Sequence, residues 1–83
     1  MNVTLKLYAT LSDYLPPGAR QNMVQVEVDA DATVGTLIDR YNLPPKLTHL
    51  VLVNGVYIAP EARATAPLRE GDTVAVWPPI AGG

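Results

Sequence analysis

Val3, Leu5 and Leu7 alternate with Thr4, Lys6 and Tyr8, a period of two that gives an opening strand one apolar and one mixed face. Thr10 to Leu15 has room for about one helical turn, which Pro16-Pro17-Gly18 ends, because proline has no N–H to continue a helix and displaces the residue before it. This stretch reads as a connection. Val24, Val26 and Val28 then alternate with Gln25, Glu27 and Asp29, a second strand that suggests a hairpin with the first. From Val34 the period changes, with Leu37, Ile38 and Tyr41 following at helical spacing behind Thr33 as N-cap. Asn42 tolerates the left-handed conformation just past a helix end, and Pro44-Pro45 prevents resumption. Leu50 to Val53 is a compact apolar run, Asn54-Gly55 supplies the positive φ values of a type I′ turn, and Val56-Tyr57-Ile58 returns. Ala59 to Leu68 is Ala- and Pro-rich without period and reads as a loop, and Glu70-Gly71-Asp72 turns into a last strand, Thr73 to Trp77, closed by Pro78-Pro79.

The order strand, strand, helix, strand, strand, strand predicts an α+β fold, a mixed sheet of about five strands with one main helix packed on one face. That arrangement is a β-grasp. Alternation assigns Val3, Leu5, Leu7, Val74 and Val76 to the helix-covered face, and Thr4, Lys6, Tyr8, Ala75 and Trp77 to the outward one. At 83 residues only one core is affordable in buried area, so the expected organisation is a domain over 1–77 and an extended tail over 78–83.

Composition then narrows the chemistry. Cysteine is absent, which excludes disulfides, thiolate metal sites and a cysteine nucleophile. His49 is the single histidine and has no second ligand nearby in sequence, so no metal site is expected. A net charge of -2 with Lys6, Arg20, Arg40, Lys46, Arg63 and Arg69 scattered along the chain argues against a nucleic-acid partner. No apolar run approaches the ~20 residues of a membrane span, and the chain opens on a strand pattern rather than a leader, so a cytoplasmic location and no membrane partner are expected. Glu70 and Asp72 flank Gly71, where turn formation explains both carboxylates more simply than acid–base catalysis.

What remains unexplained is the end: Trp77-Pro78-Pro79-Ile80-Ala81-Gly82-Gly83 carries no charged side chain. Two prolines favour an extended path, six extended residues reach ~20 Å, and Gly82-Gly83 can enter a slot too narrow for a side chain. A carboxylate is a poor electrophile and would need conversion to a mixed anhydride, for example an acyl-adenylate, before a sulfur donor could displace the leaving group. The product, a thiocarboxylate, can thiolate a second substrate and regenerate the carboxylate. Trp77 and Tyr8, facing outward near the tail with Ala75 and Lys6, are the expected partner-binding anchor, since aromatics dominate interface energies.

With these residues in place the whole chain resembles the MoaD/ThiS type of ubiquitin-like sulfur carrier, and most of all the MoaD-type small subunit of molybdopterin synthase. The resemblance rests on Val53-Asn54-Gly55, on Leu68-Arg69-Glu70-Gly71-Asp72-Thr73-Val74 and on Pro78-Pro79-Ile80-Ala81-Gly82-Gly83. It implies adenylation of Gly83 by a MoeB/ThiF-type E1-like enzyme that consumes the ATP, the carrier itself binding no cofactor. It further implies sulfuration by a persulfide-bearing desulfurase or rhodanese, and insertion of Pro78, Pro79, Ile80, Ala81 and Gly82 into a MoaE-type large subunit, where sulfur reaches a pterin precursor. One departure is the lack of any Phe, with Trp77 as the aromatic before Pro-Pro, a conservative change within an apolar contact. A ThiS-like carrier for thiamin thiazole, a protein modifier joined through Gly83 to lysine, and a non-catalytic β-grasp binding module stand as alternatives.

Overall fold

A computed structural model of the chain describes residues 1–79. Its elements are β1 (Asn2–Leu7), a 3-10 turn at Ala9–Tyr14, β2 (Met23–Glu27), α1 (Val34–Arg40), β3 (Leu50–Val53), β4 (Val56–Tyr57) and β5 (Thr73–Trp77), with short 3-10 turns at Pro45–Leu47 and Pro60–Ala62. They form a five-stranded sheet in the order β2-β1-β5-β3-β4. The first and last strands are its centre and run parallel, while the other pairs are antiparallel. This is the mixed sheet and single main helix of a β-grasp.

Register explains the core. Leu5 sits opposite Val24 on one side and Val74 on the other, and Leu7 opposite Val76, which faces Val51. Leu5, Leu7, Val51, Val74 and Val76 are completely buried, in one cluster with Val34 and Leu37 of α1. Each such side chain contributes about 1.5–3 kcal/mol by leaving water, and the alternation along β1 and β5 is what turns them all to one side.

The helix begins where Thr33 caps it. The Thr33 hydroxyl accepts from the Thr36 N–H, and the Thr36 hydroxyl accepts from the Thr33 N–H, so two N–H groups at the helix start are satisfied reciprocally. Past Arg40 the chain leaves through Tyr41 and Asn42, the latter at φ 55°. Asn54 and Gly55 hold φ 51° and 83° in the β3–β4 turn, as Asn-Gly demands.

Two connections are more ordered than their sequences suggest. In the stretch between β1 and β2, Leu11 of the 3-10 turn is fully buried in the core cluster. A second tight turn leads into β2, where Arg20 and Met23 exchange two main-chain hydrogen bonds of 3.0 Å around Gln21 and Asn22, both at positive φ.

The segment from Ala59 to Leu68 plugs the start of α1. The Val34 N–H donates to the Ala66 carbonyl at 3.0 Å and the Gly35 N–H to the Arg63 carbonyl at 2.8 Å, partners for donors that a helix cannot satisfy itself. A Cβ on Gly35 would lie 3.0 Å from the Ala64 Cα. A side chain there would require helix or loop to give by a few tenths of an ångström.

Candidate docking face and tail exit

The outward face of the sheet has two unlike ends. At one end Asn2, Thr4, Gln25, Glu27 and Thr73 are aligned across β1, β2 and β5, a polar surface. At the other the register places Met23, Lys6, Ala75, Leu52 and Tyr57 in one row across all five strands, with Leu50 beside Trp77 in the next. This apolar end is where β5 finishes and the tail departs.

Tyr8 and Trp77 form its most defined feature. Their rings stack with centroids 4.3 Å apart and planes 4° apart, held by a 3.1 Å hydrogen bond from the Tyr8 N–H to the Val76 carbonyl. The chain turns immediately after Tyr8 through Ala9 at φ 53°, a left-handed conformation that costs an alanine about 1–2 kcal/mol. Both rings are half-buried, as are Leu50 and Leu52, and Met23 and Tyr57 are exposed. Partly exposed apolar side chains gathered in a strip at one end of a small domain are a candidate interaction surface, with the stacked aromatics as its candidate anchor.

Lys6 is half-buried within the strip. Ala75 differs from the outward exposure expected of it. Its register puts it on this face, between Lys6 and Leu52, yet it is only 8% exposed. A methyl flanked on both neighbouring strands by longer side chains forms the floor of the strip and offers little contact area of its own.

The tail leaves from a braced point. The Trp77 carbonyl accepts from the His49 N–H at 3.1 Å; Pro78 is half-buried and Pro79 exposed. Ile80, Ala81 and Gly82, expected to insert into a partner, and Gly83, expected to carry the chemistry, lie outside the described residues.

Arg63, which sequence reasoning passed over, is 7% exposed, and its guanidinium donates three hydrogen bonds, each to a main-chain carbonyl. The only hint was a basic residue inside an Ala- and Pro-rich loop. The Glu70 and Asp72 carboxylates serve the turn. Asp72 accepts from the Arg69 N–H and from the Asn54 side-chain amide, each at 2.8 Å, and Glu70 accepts from the Asn2 N–H at 2.9 Å. Asn54 closes the link by accepting from the Thr73 N–H at 2.9 Å, so the β3–β4 turn is tied to the start of β5. Among the described residues no three metal-ligating side chains gather, and no helix is long and apolar enough to cross a membrane.

Comparison with known proteins agrees with the fold. SAMP1 from Haloferax volcanii, the small archaeal modifier protein 1 of that organism, shares 29% identity over 100% of both chains with a TM-score of 0.71. The HVO 2177 protein of Haloferax volcanii shares 31% identity over 100% of this chain and 87% of its own, with a TM-score of 0.74. A chain of the complex of subunits 1 and 2 of molybdopterin-converting factor from Helicobacter pylori is 17% identical over 100% of both chains, with a TM-score of 0.62, which shows a common fold. No curated protein sequence matches this one. The ThiS family matches over residues 6–83, from the middle of β1 through the final Gly-Gly, and the chain belongs to that family.

Proposed function

We propose that this protein is a sulfur carrier whose reactive group is its own Gly83 carboxylate. The observation that carries the reading is the family match running through Gly82-Gly83, on a domain with a partly exposed apolar strip beside the end of β5. A MoeB/ThiF-type E1-like enzyme docks on the strip, with Trp77 and Tyr8 as anchor and Leu50, Leu52 and Lys6 around them. The carboxylate oxygen attacks the α-phosphorus of ATP and pyrophosphate leaves. The terminal sulfur of a donor persulfide, on a desulfurase or rhodanese, then attacks the acyl carbon and expels AMP. A second thiol reduces the resulting acyl disulfide, freeing the thiocarboxylate and leaving the donor as a disulfide. All of this takes place in the cytoplasm, where ATP is available. The carrier contributes position and no catalytic side chain.

For the sulfur acceptor we favour a pterin precursor held by a MoaE-type large subunit, a reading supported by the fold shared with the Helicobacter pylori molybdopterin-converting factor complex. A second reading, conjugation through Gly83 to lysines, is supported by the 29% identity to a small archaeal modifier protein over the full chain. Delivery to a thiamin thiazole precursor is the third. Activated carrier supplied separately with a pterin precursor plus large subunit, and with cell extract, separates them. Dithiolene formation supports the first, lysine-linked conjugates the second, and thiazole formation in extract the third. A carrier lacking Gly82-Gly83 that still delivers sulfur would overturn all of them.

A further inference from the structure

Arg63 sits beside the start of α1, where its main-chain carbonyl accepts from the Gly35 N–H, yet its side-chain contacts lead to the tail. Its Nε–H donates to the Ile58 carbonyl at 3.1 Å, Nη1 to the Thr48 carbonyl at 2.8 Å and Nη2 to the His49 carbonyl at 3.0 Å. Thr48 and His49 lead into β3, and Ile58 follows β4. One planar guanidinium therefore fastens together the two ends of the β3–β4 hairpin. His49 carries the grip further, because its N–H holds the carbonyl of Trp77, the last residue of β5. Pro78 and Pro79 have no N–H to continue a ladder. The main-chain carbonyl of Arg63 completes the frame by accepting from Gly35 in the first turn of α1.

Burying a guanidinium is costly unless its donors are met, and an apolar side chain of similar volume would fill the space more cheaply. What an apolar residue cannot do is hold three carbonyls in fixed directions, the property that sets arginine apart even from lysine. We infer that Arg63 is a positioning residue for the tail: by fixing Thr48 and His49 it fixes the Trp77 carbonyl, and with it the direction in which Pro78 and Pro79 leave the sheet. The inference rests on the sulfur-carrier reading for its consequence. Adenylation requires the Gly83 carboxylate in near-attack geometry at the α-phosphorus, where a misplacement of about 1 Å costs about a hundredfold in rate.

Arg63→Lys keeps the charge and the stem but leaves one ammonium to serve three diverging carbonyls. With a MoeB/ThiF-type enzyme and ATP, adenylation measured by pyrophosphate release should show kcat lowered by roughly tenfold or more, while the Kd for docking, read from Trp77 fluorescence, rises by a smaller factor than kcat falls, because no side chain of the strip is replaced. Amide exchange at His49 should accelerate relative to Leu5 and Val74. His49→Pro provides an independent check, since it deletes the N–H that holds Trp77 and leaves the Arg63 bonds to carbonyls available; it should lower kcat in the same way. Adenylation of either variant at the wild-type rate, or a loss confined to docking affinity, would overturn the inference. Failure of the wild-type chain itself to be adenylated would instead count against the carrier reading, and the His49 exchange comparison would still decide whether Arg63 holds the tail exit.

Discussion

The two faces of one sheet are built from alternate residues of the same strands and have opposite fates. On the covered face Val3, Leu5 and Leu7 of β1 and Val74 and Val76 of β5 are aliphatic, at most 2% exposed, and meet α1. On the open face Lys6, Tyr8, Leu50, Leu52, Trp77 and Tyr57 mix charge with aromatic and aliphatic bulk and stay partly in water. The covered face maximises burial, which is how a domain of this size becomes stable at all. Its open counterpart leaves apolar area partly exposed beside the point where β5 ends, area that contributes less to the fold and that the proposed docking would use. One face specifies the structure and the other what the structure meets.

Substitutions separate the two roles. Leu5→Ala, on the covered face, should lower unfolding free energy by about 2–5 kcal/mol, and urea denaturation should place its midpoint far below wild type; a loss under 1 kcal/mol would mean the core is not organised around β1. Trp77→Ala should weaken docking to the activating enzyme by about 2 kcal/mol, roughly thirtyfold, while the lost stack with Tyr8 costs the fold only about 0.5–1.5 kcal/mol beyond area burial. Severe unfolding with unchanged affinity in the folded fraction would assign Trp77 to the core instead. Gly35→Ala gains about 1 kcal/mol of helix propensity but drives a Cβ to 3.0 Å from the Ala64 Cα. Overpacking against backbone costs about 1–3 kcal/mol, so a net loss is expected by thermal melting, and a net gain would show the loop free to move away. The smallest effect has the opposite sign. Ala9→Gly relieves the left-handed φ of 53° and should raise stability by about 0.5–1 kcal/mol after the entropy of glycine is counted, provided Tyr8 keeps its stack.

Much of the covered face was legible because burial writes a period into sequence. Alternating Val and Leu marked β1 and β5, helical spacing from Val34 marked α1, and Thr33, Asn42 and Asn54-Gly55 marked where elements start and stop. Features that depend on contacts across strands were not legible. Ala75 lies on the outward face as alternation says, but its burial follows from Lys6 and Leu52 on neighbouring strands. Arg63 reaches carbonyls 5, 14 and 15 residues away, which leaves no local pattern, and its loop therefore read as featureless. Ala9 and Gln21 adopt left-handed conformations that neither residue type favours, so turn chemistry gave no warning. On the candidate site, Tyr8 and Trp77 could be placed on one face but their stacking could not be foreseen.

The central claim is that sulfur is carried at Gly83. Because the chain has no cysteine, a stable gain of sulfur has no thiol side chain to occupy. The decisive measurement is intact-protein mass spectrometry after incubation with ATP, the cognate E1-like enzyme and a persulfide donor, followed by fragmentation of the C-terminal peptide. The account predicts a species heavier by the difference between one sulfur and one oxygen, with the change mapped to Gly83. No mass change with an enzyme set that adenylates the carrier, or sulfur mapped to any other residue, would contradict it.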